Sequence, residues 1–336
     1  MVDERSARAD DDPHPAAPGT AKGAPTGASS GAAPQVAGEE APCVLVRHGV
    51  RTDVGCRREH NEDSFGARFP FFVVADGMGG HLDGALASGI VVDQVLGAAP
   101  EGGFASAGEV SESIAHAARR VAGLGEVAGP GRRAPGSTLT GLAFSLHRGR
   151  PCVRVFNIGD SRTYLLSGSE FSQVTTDHSE VQEMLDAGSV TEVEARALPQ
   201  RNVITRALGA GAGPVVPADL YVVPALAGDR YLLCSDGLSG EVTDALIEMV
   251  TRTVEDPQRV ADELVSMALT AGGKDNVTVM VVDIVEASPA WDATAVEGTT
   301  LTREGDTSAT DDTVPTPEVR RLRESGTGRT VAEEET

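Results

Sequence analysis

The sequence has little that would bind nucleic acid, cross a membrane or hold a soft metal. Its 336 residues include only four cysteines, Cys43, Cys56, Cys152 and Cys234, and no two form a C-x-x-C pair. That spacing excludes the usual cysteine frame for zinc. Basic residues are scarce, with 28 Lys and Arg against 50 Asp and Glu, giving a formal net charge of −22. Binding a phosphate backbone needs clustered Lys and Arg, so no nucleic-acid partner is expected. No apolar run approaches the ~18 residues of a spanning helix. The opening MVDERSARADDD has no apolar core of the kind a secretory signal carries. A cytoplasmic protein with reduced thiols and no membrane partner is the expectation. Aromatic residues make up 4% of the chain although 40% is hydrophobic, and no internal repeat is present.

What is there is unevenly spread. Residues 1–42 consist of Ala, Pro, Gly, Ser and charge, and residues 288–336 are rich in Thr, acids and Gly. Neither stretch has enough large apolar side chains to offset its ordering entropy, so both are expected to be disordered tails. Residues 43–287 then form a single domain. Most of the negative charge lies on that domain.

Within it, Ser179–Gln182 and Thr191–Glu194 have capping-box spacing, and Gly188 can stop the first helix. Asp256-Pro257 opens a further helix that runs to Gly272. Residues 84–97 and 108–122 are also expected to be helical. Strands are expected at 71–75, 138–146, 152–158, 162–166, 231–234 and 277–285. Neighbouring strands at 138–166 suit a hairpin meander better than parallel crossovers. The fold class is therefore α+β, with helices packed on antiparallel sheets.

Several apolar runs close on an acid beside small residues: FFVVADG ends at Asp76, VFNIGDS at Asp160 and YLLCSDG at Asp236. HNEDSFG adds Glu62 and Asp63, and GGKDNVT adds Asp275. An acid in a loop is ordinary, but so many carboxylates at buried strand ends cannot all ionise without cations between them. An all-oxygen set selects Mg²⁺ or Mn²⁺. Arg57-Arg58, shortly before Asp63, can offer the planar fork that a phosphate prefers.

The segments RTDVGCRREHNED, VVADGMGGHLDG, GSTLTGLAF, VFNIGDSRTYLL, TTDHSEVQEMLDAGSVTEVEA, LPQRNVITRALG, RYLLCSDGLS and GGKDNVTVMVV follow one another in an order that resembles the bacterial PPM-type (protein phosphatase type 2C) family. The resemblance covers about residues 50–285. It implies a four-layer αββα sandwich and a metal-dependent Ser/Thr protein phosphatase. Carried over by position, it implies Asp63, Asp76, the Gly77 carbonyl, Asp236 and Asp275 as ligands of two Mn²⁺ or Mg²⁺ ions. Glu62 acts through water, Arg58 (rather than Arg57) grips phosphate, and Asp160 joins a third, weaker metal site. Residues 176–209 resemble a mobile flap.

The same resemblance implies direct attack on phosphorus by metal-bound hydroxide, with no covalent enzyme intermediate. Where many eukaryotic members have a His after the bridging Asp-Gly, this chain has Met78. His60 and His81 lie nearby but are expected to be structural. No cysteine is followed six positions later by arginine, so the loop of thiol phosphatases is missing. Ser161 lacks a downstream Asp-x-x-His partner, against an esterase reading. Expected partners are phosphorylated proteins of bacterial Ser/Thr kinase signalling, and a monomer is expected. The alternatives are a catalytically weak phosphoprotein-binding scaffold and a phosphatase for small phosphate esters. Eight threonines between Thr294 and Thr316 could be phosphorylated by a partner kinase, or the segment could simply aid solubility.

Overall fold

The computed structural model describes residues 41–79, 82–128, 134–195, 198, 203–290 and 302–304. Strands β1 (Cys43–Asp53), β2 (Asp63–Arg68) and β3 (Phe71–Met78) lead into helices α1 (Leu82–Gly97) and α2 (Ala107–Ala128). A meander follows: β4 (Gly136–Ser137), β5 (Leu139–His147), β6 (Arg150–Ile158), β7 (Arg162–Ser167) and β8 (Glu170–Gln173). Two short helices, α3 (Glu180–Asp186) and α4 (Glu192–Ala195), precede β9 (Leu208–Gly209), β10 (Asp219–Pro224) and β11 (Arg230–Cys234). The domain closes with α5 (Asp236–Ser239), α6 (Asp244–Thr253), α7 (Pro257–Ala271) and β12 (Val277–Ser288), and β13 (Thr302–Glu304) lies beyond.

The expected helix signals operate as read. Asp256 accepts from the Arg259 amide at 2.9 Å, and Gly272 caps the far end of α7 with φ +148°. Thr191 and Glu194 cap each other: the Thr191 amide donates to Glu194 Oε2 and the Glu194 amide to Thr191 Oγ1. The missed elements are β1, β2, β8, β10 and α6, with the short β4, β9, α5 and β13. In β1 and β2 charged and glycine residues break the alternation, and pairing in the sheet decides the conformation.

All strand pairings are antiparallel. One sheet orders its strands β1-β12-β11-β7-β8; the other runs β13-β10-β6-β5-β3-β4-β9, with β2 beside β3. The sheets face each other across a core that includes Phe72, Phe144, Val155, Tyr231 and Met280. α1 and α2 cover the outer face of the larger sheet through Val91, Val95, Ala118 and Val121. α6 and α7 cover the smaller through Ile247, Val250, Val260 and Leu264. The four layers are αββα.

Thr302–Glu304 falls within the stretch expected to be a tail, yet it pairs with β10 from Leu220 to Val222. Its backbone takes up the free hydrogen-bonding edge of β10. Apart from this short strand and the residues flanking the domain, both expected tails, and the other threonines of the acidic segment, lie outside the described residues.

Asp229, in the turn before β11, is 3% exposed, and one of its carboxylate oxygens has no hydrogen-bond partner. Burial pushes its carboxyl up to about 6, against weaker opposing hydrogen bonds from Ser167 and Leu226. Because the folded value lies above the unfolded one, the stabilisation is complete below the unfolded value and is lost as pH rises through about 6. Asp229→Asn is therefore expected to raise the melting temperature at pH 7.5 by ~2–6 °C, with the gain fading toward pH 4. Calorimetry across that range checks it; a gain that does not depend on pH would contradict the assignment.

Candidate metal centre

The sheet registers bring the acids together. β2 begins on Asp63 and β3 ends just past Asp76, and the two residues stand directly opposite each other. From the smaller sheet, β11 ends at Cys234 just before Ser235-Asp236, while Asp275-Asn276 immediately precede β12. The pairing of Cys234 with Val279 sets those two corners side by side. β6 ends at Ile158, and Asp160 follows after Gly159. Strand ends of both sheets thus deliver Asp63, Asp76, Asp160, Asp236 and Asp275 to one place.

The supporting hydrogen bonds cross the seam between the sheets. Asp63 Oδ2 accepts from Ser235 Oγ and Thr278 Oγ1, both at 2.7 Å. The Asp76 amide donates to Thr138 Oγ1 at 2.9 Å, and the Thr138 amide returns a bond to the Asp76 carbonyl. Asn276 pins the loop before β2: its Oδ1 accepts from the Glu62 amide, and its Nδ2 donates to the carbonyls of Val54 and His60. Gly77 donates its amide to the Glu62 carbonyl at 3.1 Å. Glu62 is buried, with its carboxylate against Gly84 in the first turn of α1, where a Cβ would overlap it. Arg58 places Nη2 2.6 Å from Asp275 Oδ2. Its guanidinium also feels the charges of Asp76 and Glu62.

The acids strain against one another. Burial first, then the charges of Asp236 and Asp275, push Asp63 up to about 7, against the pull of its two hydroxyl donors. Burial and then Asp275 push Asp236 up to about 6. Asp76 and Asp160 are held well above the usual carboxylate range, chiefly by burial and then by neighbouring acids. Oδ1 of Asp63, of Asp160 and of Asp236 is buried with no hydrogen-bond partner among the described residues.

No three His, Cys, Asp or Glu side chains among the described residues are arranged so that they would hold a metal ion by themselves. A hard cation that keeps several of its waters needs only one or two carboxylates directly, so the donor set suits it. Orphaned oxygens and mutual repulsion are the two signs that the site is built for positive charge.

Other candidates fall away. Cys234 is buried and its thiol is pushed up to about 12, mainly by burial, so it is no nucleophile at neutral pH. Ser161 is fully buried with its hydroxyl 2.7 Å from that of Thr138. His60 is exposed, and His81 lies outside the described residues.

Sequence reasoning overlooked His178. It is 7% exposed, its amide donates to the Gly159 carbonyl, and its Nδ1 accepts from the Gly159 amide at 3.0 Å. Its Nε2 lies 3.2 Å from Asp219 Oδ2, while Arg206 holds Asp219 Oδ1 at 2.9 Å. Arg206 Nη1, which can only donate, also lies 2.9 Å from Nε2, so the guanidinium stands between the ring and the Asp219 carboxylate. The ring thereby ties both ends of the 176–209 segment to the residue preceding Asp160. Its partners lie far off in sequence; the only local signal was the TTDHSEV segment itself.

Residues 57–276 match the family model described as Protein phosphatase 2C. The serine/threonine protein phosphatase PstP of Mycobacterium tuberculosis is 38% identical over 247 residues, which are 72% of this chain and 46% of that protein. The chain thus spans about half the length of that relative. The serine/threonine phosphatase stp of Listeria monocytogenes is 34% identical over 243 residues, 69% of this chain and 94% of its own. Among solved structures, the catalytic domain of PstP in complex with two manganese ions is 36% identical, with a TM-score of 0.65, covering 72% of this chain and all of that one. Two structurally paired sheets, a shared acid-lined corner and these likenesses lead to one assignment: the chain belongs to the protein phosphatase 2C family.

Proposed function

We propose that the chain is a metal-dependent phosphatase that removes phosphate from phosphoserine and phosphothreonine in proteins. The observation that carries this reading is the set of mutually repelling acids, with buried, unpartnered oxygens on Asp63, Asp160 and Asp236, beside the Arg58 guanidinium. Asp63, Asp76, the Gly77 carbonyl, Asp236 and Asp275 would hold two Mn²⁺ or Mg²⁺ ions, and Asp160 a third. Such ions acidify water and neutralise charge on phosphoryl oxygens.

The chain's own residues do the rest. Arg58 carries a planar donor fork at the edge of the cluster and would orient the phosphate and stabilise its charge in the transition state. Ser235 and Thr278 fix the rotamer of Asp63 so that Oδ1 faces the cluster. Glu62 would act through ordered water. Neither Cys234 nor Ser161 is available for a covalent step, in keeping with direct hydrolysis.

The manganese-bound relative favours Mn²⁺ as the first ion to test. Among the described residues no helix is long and apolar enough to cross a membrane. We place the enzyme in the cytoplasm as a monomer, acting on phosphoproteins of Ser/Thr kinase signalling. The test is phosphate release from a phosphothreonine peptide by the full chain with Mn²⁺, with Mg²⁺ and with excess chelator. Release with metal that chelator abolishes is expected. Folded protein that binds the peptide but releases nothing with any divalent ion would mark a scaffold instead.

A further inference from the structure

Beside the acid cluster lies a cavity of about 430 Å³ between helix α3 and the stretch from α5 into α6. Asp160, Asp236 and Asp275 line both the cavity and the cluster. A peptide whose phosphoresidue reaches the cluster therefore lays a neighbouring side chain over the cavity.

Its walls are of two kinds. Val181 and Leu185 of α3 and Val242 before α6 give an aliphatic surface. The two basic residues of the lining are already committed. Arg162 Nε lies 3.0 Å from each Asp177 oxygen and its Nη2 2.7 Å from Oδ2, and Lys274 Nζ lies 2.9 Å from Glu241. Asp244 is different. Its side chain is 52% exposed, and Oδ1 accepts from Tyr164 at 2.9 Å with Arg162 Nη1 3.6 Å away. Its Oδ2 has no partner among the described residues. An aliphatic surface that ends at a half-exposed carboxylate matches a side chain with an apolar stem and a cationic head. An acidic side chain would meet no uncommitted cation in the lining and would be repelled by Asp244.

We propose that this cavity receives a residue flanking the phosphoresidue of a peptide substrate and selects arginine or lysine there, with Asp244 reading the charge. The proposal rests on the phosphatase reading above.

The test uses the full chain with Mn²⁺ and phosphothreonine peptides carrying Arg, Ala or Glu at each flanking position in turn. At one position, Arg should raise kcat/KM about fivefold to tenfold over Ala, mostly through KM, and Glu should lower it. Asp244→Asn keeps an acceptor for Tyr164 but removes the charge, and should shrink the Arg advantage to about twofold or less. Hydrolysis of p-nitrophenyl phosphate, which has no flanking residue, should stay unchanged in that variant. Equal kcat/KM for Arg, Ala and Glu at every position would overturn the proposal, as would an Arg preference untouched by Asp244→Asn. Failure to hydrolyse p-nitrophenyl phosphate at all would overturn the phosphatase reading itself, and the pocket assignment with it.

Discussion

Asp236→Asn is expected to lower turnover of a phosphothreonine peptide about a thousandfold, because on the proposed reading it removes one of the carboxylates that would hold the metal ions. The same substitution should raise the melting temperature measured in chelator. Asp236 is partly buried, its Oδ1 is buried with no partner among the described residues, and the charge of Asp275 acts against it. Asparagine fits the same space without that repulsion, so a rise of ~2–5 °C is expected. The opposite signs separate lost chemistry from lost folding. Kinetics with Mn²⁺ and calorimetry in chelator read the two effects; turnover within tenfold of the parent would remove Asp236 from the site.

Gly77→Ala should lower stability and turnover together. A Cβ there would fall within 3.0 Å of the Gly84 and Glu62 carbonyl oxygens and of the Gly84 carbonyl carbon. All three are backbone atoms, so nothing flexible can yield. The end of β3 and the first turn of α1 must part, at a cost of about 3 kcal/mol or more. A shift of ~1 Å in Asp76 and Glu62 is enough to lower turnover about a hundredfold. Gly89→Ala in the same helix is the control. A Cβ there meets nothing nearer than Ser64 Oγ at 4.0 Å, and alanine should stabilise the helix by ~0.5–1 kcal/mol. Urea titration of the two variants should show midpoints moving in opposite directions. A Gly77→Ala protein as stable and active as the parent would mean that β3 and α1 are not locked together.

The acids were legible because each closes an apolar run. FFVVAD, VFNIGD and YLLCSD become β3, β6 and β11, whose buried residues have no other reason to stop at a carboxylate. Their convergence was not legible from spacing alone, because it depends on registers such as Asp63 opposite Asp76. β1 was missed since Arg47, His48, Gly49 and Arg51 interrupt its alternation; its eleven residues are fixed by pairing with β12. The DN segment was read for Asp275 alone, although Asn276 makes three bonds that hold the loop carrying Glu62. Such bonds span more than two hundred residues of sequence, beyond the reach of any local pattern. Arg58 was foreseen near the cluster, but its direct pairing with Asp275 was not.

The facing of Asp63 and Asp76 also limits how this molecule can vary in length. Successive residues of a strand alternate between the two faces of the sheet. One residue inserted between Arg68 and Phe71 merely lengthens a turn, whereas one inserted within β2 or β3 turns an acid from the seam to the opposite face. In a library of single-codon insertions, this corner would stand out as a block of intolerance to added length, whatever the residue added, while the turn beside it would accept many.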